Sequence, residues 1–159
     1  MRWTYTRLME RPIDEAPAAA TPAVIILADD LIWSTRLTAL LRSIGMAART
    51  VASLPAFDLA LPAGRSAIVD LTARGYDGIE AVGLAAARGA SILCLVQHDD
   101  LATRRAALAA GATRVVPYRT MHEHGPETLR RWLATAAEPA NETDAAPAAV
   151  PAAGRGRTG

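Results

Sequence analysis

Apolar positions along this chain switch between two spacings, short unbroken runs and stripes that recur every three or four residues. Val24-Ile25-Ile26-Leu27 is an unbroken run that leads into Asp29-Asp30. Trp33, Leu37, Leu40, Leu41 and Ile44 then fall on one helical face, which Gly45 ends. Met46 to Ala52 reads as a weaker strand, and Ser53 to Ala60 as a short helix with Ser53 as its cap and Pro55 in its first turn. Ala67-Ile68-Val69 delivers Asp70 at the end of a buried strand; an irregular turn follows, and Asp77-Gly78 opens a helical stripe of Ile79, Val82 and Ala86. Ser91 to Val96 is wholly apolar except at its first residue, Asp99 or Asp100 caps a helix to Ala110, and Gly111 closes it. Arg114 to Tyr118 is the fifth strand. After a polar loop holding His122 and His124, Gly125-Pro126-Glu127 starts a last helix with Leu129, Trp132, Leu133 and Ala136 on one face.

Five strands alternating with five helices predict an α/β domain, a doubly wound parallel sheet joined by right-handed crossovers. The flavodoxin-like strand order 2-1-3-4-5 is the expected one, and its ligand crevice opens where the first and third strands are neighbours. That order brings Asp29, Asp30 and Asp70 to one edge. The domain spans residues 23–137. An N-terminal extension and Ala/Pro linker occupy 1–22, where Trp3 and Tyr5 alternate with threonines, and an Ala/Pro/Arg-Gly tail of disordered composition occupies 138–159.

Composition narrows the function classes. The formal net charge of +1 gives no field that selects nucleic acid or an anionic membrane, so neither is expected as a partner. No run approaches a membrane span and no signal-peptide core is present, which predicts a cytoplasmic protein. The single cysteine, Cys94, lies inside an apolar run and excludes an internal disulfide or a thiolate metal cluster. All 17 basic residues are arginine, and the chain contains no lysine. No Ser-His-Asp or Cys-His pairing signals hydrolysis, and the segment after the first strand, ADDLIW, is not a glycine-rich phosphate loop. An enzyme is not expected.

Over residues 23–137 the chain resembles the response-regulator receiver domain. The acidic pair Asp29-Asp30 after the first strand, Asp70 after the third, Asp77-Gly78 beyond it and Gly111-Ala112 before the fifth carry the resemblance by their shared order and spacing. It implies Asp70 as phosphoryl acceptor, Asp29, Asp30 and Asp70 as ligands of a weakly held Mg2+, and the Thr72 carbonyl as a further ligand. It also implies a lysine after the fifth strand and a hydroxyl after the fourth to neutralise phosphoryl oxygens. The lysine position is Tyr118, the hydroxyl position falls on Val96 or Gln97, the aromatic of the fifth strand is Val115, and a proline of the loop after the acceptor is Arg74. Gln97 and Arg119 are the only nearby substitutes for phosphoryl contact, and a guanidinium fork does not simply replace an ammonium.

Each residue has a plainer reading. Asp29 or Asp30 serves as a helix cap, as does Asp77; the histidines are solvated loop residues; Trp33 and Trp132 are core anchors. Asp70 needs water, a hydrogen bond or a cation at the end of a buried strand.

The expectation is a stand-alone, degenerate receiver-like module, or pseudo-receiver, of two-component signalling. It acts by protein–protein association without phosphorylation, its partner a kinase, a regulator or a second copy in a weak homodimer. One alternative is a phosphate-accepting regulator using Asp70 with Mg2+. A further one is a flavodoxin-like domain that binds a small ligand. The expected interface is the fourth helix, fifth strand and fifth helix, with Arg104, Arg105, Arg114, Arg130 and Arg131.

Overall fold

The structure, a computed structural model, describes residues 24–61 and 66–137. The extension 1–22 and the tail 138–159 lie outside them. In chain order the elements are β1 Val24–Leu27, α1 Leu31–Ser43, β2 Ala48–Val51, α2 Leu54–Ala60, β3 Ser66–Asp70, α3 Gly78–Ala87, β4 Ser91–Val96, α4 Leu101–Ala110, β5 Arg114–Pro117 and α5 Tyr118–Ala137. The strands form one parallel sheet in the order β2-β1-β3-β4-β5, the doubly wound arrangement that the alternation predicts.

Period-two alternation divides the strand residues between two cores. Ile25, Leu27, Ala67, Val69, Ile92, Cys94 and Val115 pack beneath α2, α3 and α4 around Phe57. Val24, Ile26, Ile68, Leu93, Leu95 and Val116 pack beneath α1 and α5 with Leu37, Leu41, Met121, Leu129 and Trp132. β1, β3 and β4 are covered on both faces, which explains why they read as unbroken apolar runs rather than alternating ones.

Side-chain oxygens start the helices where the sequence places caps. Asp30 accepts from the Ile32 and Trp33 amides, Ser53 from Ala56, Asp77 from Ile79 and Glu80, and Asp100 from Thr103. Gly111, at φ 111°, closes α4 in the left-handed region.

The junction after the fifth strand differs from the sequence reading. β5 ends at Pro117, and Tyr118 is the first residue of α5. The expected polar loop is helical, so His122 lies on a helix, and the helix bends at His124 (φ −134°, ψ 29°). The cause is Pro126, which has no N–H to donate and whose ring crowds the carbonyl four residues earlier. A polar surface turn and a loop look alike in sequence; here the turn is held down by Met121, fully buried in the α1–α5 core.

Candidate functional site

Parallel pairing carries the ends of β1 and β3 to the same edge, Leu27 opposite Val69, with Asp70 opposite Leu95 of β4. A cleft of about 510 Å³ opens there, lined by Asp29, Asp30, Trp33, Asp70, Thr72, Arg74, Gln97 and Tyr118. All three expected acids therefore face one cleft, but each is otherwise engaged.

Asp70 is 2% exposed. Its Oδ1 accepts from the Thr72 amide and the Thr72 hydroxyl, both at 2.9 Å. The Tyr118 hydroxyl donates to the same oxygen and stands 2.6 Å from Thr72 Oγ1. Donors to an ionised carboxylate are the strong ones, and together they offset the desolvation of a charge buried at a strand end. Asp29 turns elsewhere: its Oδ2 accepts from the Arg74 and Gly75 amides at 3.0 and 2.9 Å, tying the β1 end to the β3–α3 loop. A Cβ on Gly75 would stand 3.3 Å from that oxygen, so glycine gives the carboxylate its close approach. Asp30 caps α1 through Oδ1, with Ile32 N at 2.8 Å and Trp33 N at 3.0 Å. The plainer reading of Asp30 and Asp77 as caps is therefore what the structure shows.

Three aromatic residues that sequence reasoning undervalued complete the site. The Tyr76 hydroxyl lies 2.9 Å from the carbonyl oxygens of both Leu27 and Asp70 and clamps the two strand ends together. Burial first, then the charges of Asp70 and Asp29, push its phenol well above the ordinary tyrosine value. Tyr118 is raised likewise, by burial and then by its hydrogen bond to Asp70, so it remains a protonated donor. Trp33 is the core anchor expected of it only in part: half-buried, it packs against the α1–α5 core and also lines the cleft, its ring 4.5 Å from that of Tyr118 at 42°. Arg36 caps the stack, 5.4 Å from the Trp33 ring. Trp132, by contrast, is 1% exposed in the core. The available signal was an aromatic residue in an otherwise polar loop for Tyr76, and at the expected lysine position for Tyr118.

The phosphoryl-contact candidates separate. Gln97 follows β4 and lines the cleft, and Val96 is buried in the strand. Arg119 points outward, its Nε 2.8 Å from Glu123 Oε1, and does not line the cleft. The donors fit a hard cation by chemistry, since carboxylates and the Thr72 carbonyl are all oxygen ligands. They do not fit by arrangement. Among the described residues no three His, Cys, Asp or Glu side chains are grouped to hold a metal ion, and two hydroxyls cover Asp70 Oδ1.

Of the expected interface residues, Arg104, Arg105, Arg130 and Arg131 are exposed and Arg114 is half-buried. Arg131 pairs with Glu127 at 2.6 Å. No described helix is long and apolar enough to cross a membrane.

No protein-family model matches the chain, and no curated protein does. Solved structures do. A response regulator receiver protein from Burkholderia phymatum is 28% identical, with a TM-score of 0.59 over 72% of this chain and 94% of that one. A putative response regulator from Chloroflexus aurantiacus is 24% identical, with a TM-score of 0.58 over 71% and 98%. The receiver domain of a sensor histidine kinase from Pseudomonas aeruginosa, described with a magnesium ion coordinated in its active-site cleft, is 21% identical, with a TM-score of 0.60 over 71% and 98%. Strand order, the acid at the end of β3 and this likeness agree, and the described residues have the fold of response-regulator receiver domains.

Proposed function

We propose that this receiver domain is a degenerate one, a signalling module that works by protein–protein association and neither accepts a phosphoryl group nor catalyses a reaction. The observation that carries the reading is the hydroxyl of Tyr118 on Asp70. The family resemblance calls for a lysine at Tyr118, and the chain has none. A phenol donates one hydrogen bond and brings no positive charge to a transferring phosphoryl group. The readout is altered as well. Val115 is a buried valine in place of a ring, and Arg119 is engaged with Glu123 at the surface. Association with a kinase, a regulator or a second copy is placed on α4, β5 and α5, where Leu101 and Leu108 are 58% and 47% exposed beside Arg104 and Arg105.

The phosphate-accepting reading retains one observation in its favour, the amide of Gln97 at the cleft beside Asp70. Incubation with magnesium and acetyl phosphate, followed by intact mass and peptide mapping, separates the two. The expected result is no mass gain. A phosphoryl adduct on Asp70 that disappears in Asp70→Asn would establish the phosphate-accepting regulator instead.

A further inference from the structure

We infer that the hydroxyls of Tyr118 and Thr72 do at Asp70 what a bound cation would do, compensating its buried charge and closing the cleft to magnesium with the chain's own side chains. The inference concerns the same cleft as the proposed function, and rests on that reading for the statement that Asp70 carries no phosphoryl group.

A carboxylate 2% exposed at a strand end must be compensated. The nearest lysine candidate is absent from the chain, and the cleft's lining contains one cation, Arg74. Compensation therefore falls to hydrogen bonds, and Oδ1 accepts three, from the Thr72 amide, the Thr72 hydroxyl and the Tyr118 hydroxyl. Two hydroxyl protons serve three close oxygens, because Thr72 Oγ1 and the Tyr118 oxygen are also 2.6 Å apart. Tyr118 is placed for the task from both ends. β5 ends at Pro117 immediately before it, and the Trp33 ring lies against its own at 4.5 Å.

Magnesium demands near-octahedral oxygen geometry at short distance, keeps several of its waters and binds through one or two carboxylates. Here one oxygen of each carboxylate is already engaged: two hydroxyls cover Asp70 Oδ1, Asp29 Oδ2 is stapled to the Arg74 and Gly75 amides, and Asp30 Oδ1 caps α1. Of these engagements the two hydroxyl ones, of Tyr118 and Thr72, can be removed without unlinking a loop or a helix end.

Tyr118→Phe keeps the ring and its contact with Trp33 and removes the donor. The readouts are the thermal midpoint and the Trp33 indole resonance by NMR, each with and without millimolar magnesium. Wild type is expected to show no saturable magnesium response. Tyr118→Phe is expected to unfold about 2–8 °C lower, the range a single lost interaction moves domains that bracket this one in size. It should then gain a saturable rise in midpoint and a shift of the Trp33 indole with magnesium, both absent from the Tyr118→Phe/Asp70→Asn double variant. Should Tyr118→Phe fail to fold, Thr72→Val makes the same comparison through the other hydroxyl. A saturable response in wild type that Asp70→Asn removes would overturn the inference. So would a variant as stable as wild type, or one that loses stability and stays indifferent to magnesium. None of these readouts detects phosphorylation, so failure here is distinct from failure of the proposed function.

Discussion

At Asp70, Tyr118 and Tyr76 a single charge is enclosed by phenols that keep their protons, and that arrangement has a consequence at alkaline pH. Both phenols are raised above the ordinary tyrosine value, by burial first and by neighbouring carboxylates second, and burial pushes the Cys94 thiol up to about 12. A group whose folded pKa exceeds its unfolded one contributes stability in full below the unfolded value and loses it as pH rises. The unfolded thiol ionises from about pH 8.5 and the unfolded phenols from about pH 10, while the folded groups hold their protons. Stability should therefore be flat through neutral pH, start to fall near the thiol's ordinary value and fall more steeply above that of tyrosine. Urea midpoints at neutral pH and in steps above it check this. Tyr118→Phe and Tyr76→Phe should each give a shallower decline at the high end, because each removes one group whose folded and unfolded forms bind different numbers of protons. A decline equally steep in both variants would leave the raised phenols without support.

Elements whose ends carry a local signal were legible from the sequence. Ser91–Val96 is read as a strand to the residue, and Ser53, Asp77 and the pairs Asp29-Asp30 and Asp99-Asp100 mark helix starts, the structure choosing Asp30 and Asp100, since an N-cap is decided by the chain within three residues. The start of α5 was not legible. Tyr118 begins that helix because of contacts with Asp70, Thr72 and Trp33, which lie 46 to 85 positions away in the chain and leave no periodic trace nearby. Another junction invisible in the sequence is Arg88 at the end of α3. Its guanidinium pairs with Asp58 and donates to the Asp58 and Leu61 carbonyls at 2.6 and 3.1 Å, tying the α2 terminus to α3. Glycines at helix ends are legible as stops, but their sensitivity is not. Gly45 and Gly111 both have positive φ, 79° and 111°. A Cβ on Gly45 meets nothing within 4 Å, whereas one on Gly111 would stand 2.6 Å from Ala86 Cβ. Gly45→Ala should therefore lose only about 1 kcal/mol, the left-handed penalty. Gly111→Ala adds overpacking between α3 and α4 and should lose about 1–3 kcal/mol more. Denaturant midpoints decide the order; equal losses would mean that α3 yields to the added methyl.

For the molecule as a whole, the fold was readable because strand runs and helical stripes alternate strictly. The cleft was readable only in outline, because three carboxylates can be placed at one edge by topology while their hydrogen-bond partners come from three separate segments, the start of α1, the β3–α3 loop and the start of α5. The same topology shapes the opposite flank. β5 is an edge strand, bordered by α4 on one face of the sheet and α5 on the other. On α4, Leu101 and Leu108 stand two turns apart with Arg104 and Arg105 between them, all exposed. On α5, Arg130 and the Arg131–Glu127 pair are exposed too. A two-fold axis lets such a mixed patch meet its own copy, each subunit presenting both signs of charge. Exposed ion pairs contribute only about 0–1 kcal/mol each, whereas full burial of a leucine contributes about 1.5–3 kcal/mol, so the two leucines outweigh the arginines if the patch closes on itself. Self-association should accordingly be weak and in the micromolar range or above, moderately reduced by salt and more strongly reduced by Leu101→Ser/Leu108→Ser. Arg105→Glu and Arg130→Glu should weaken it chiefly at low ionic strength, where charges are least screened. Sedimentation equilibrium at low and high salt measures all four proteins together. Wild type that stays monomeric at high concentration, or a leucine variant that associates as well as wild type, would move the interface away from this flank.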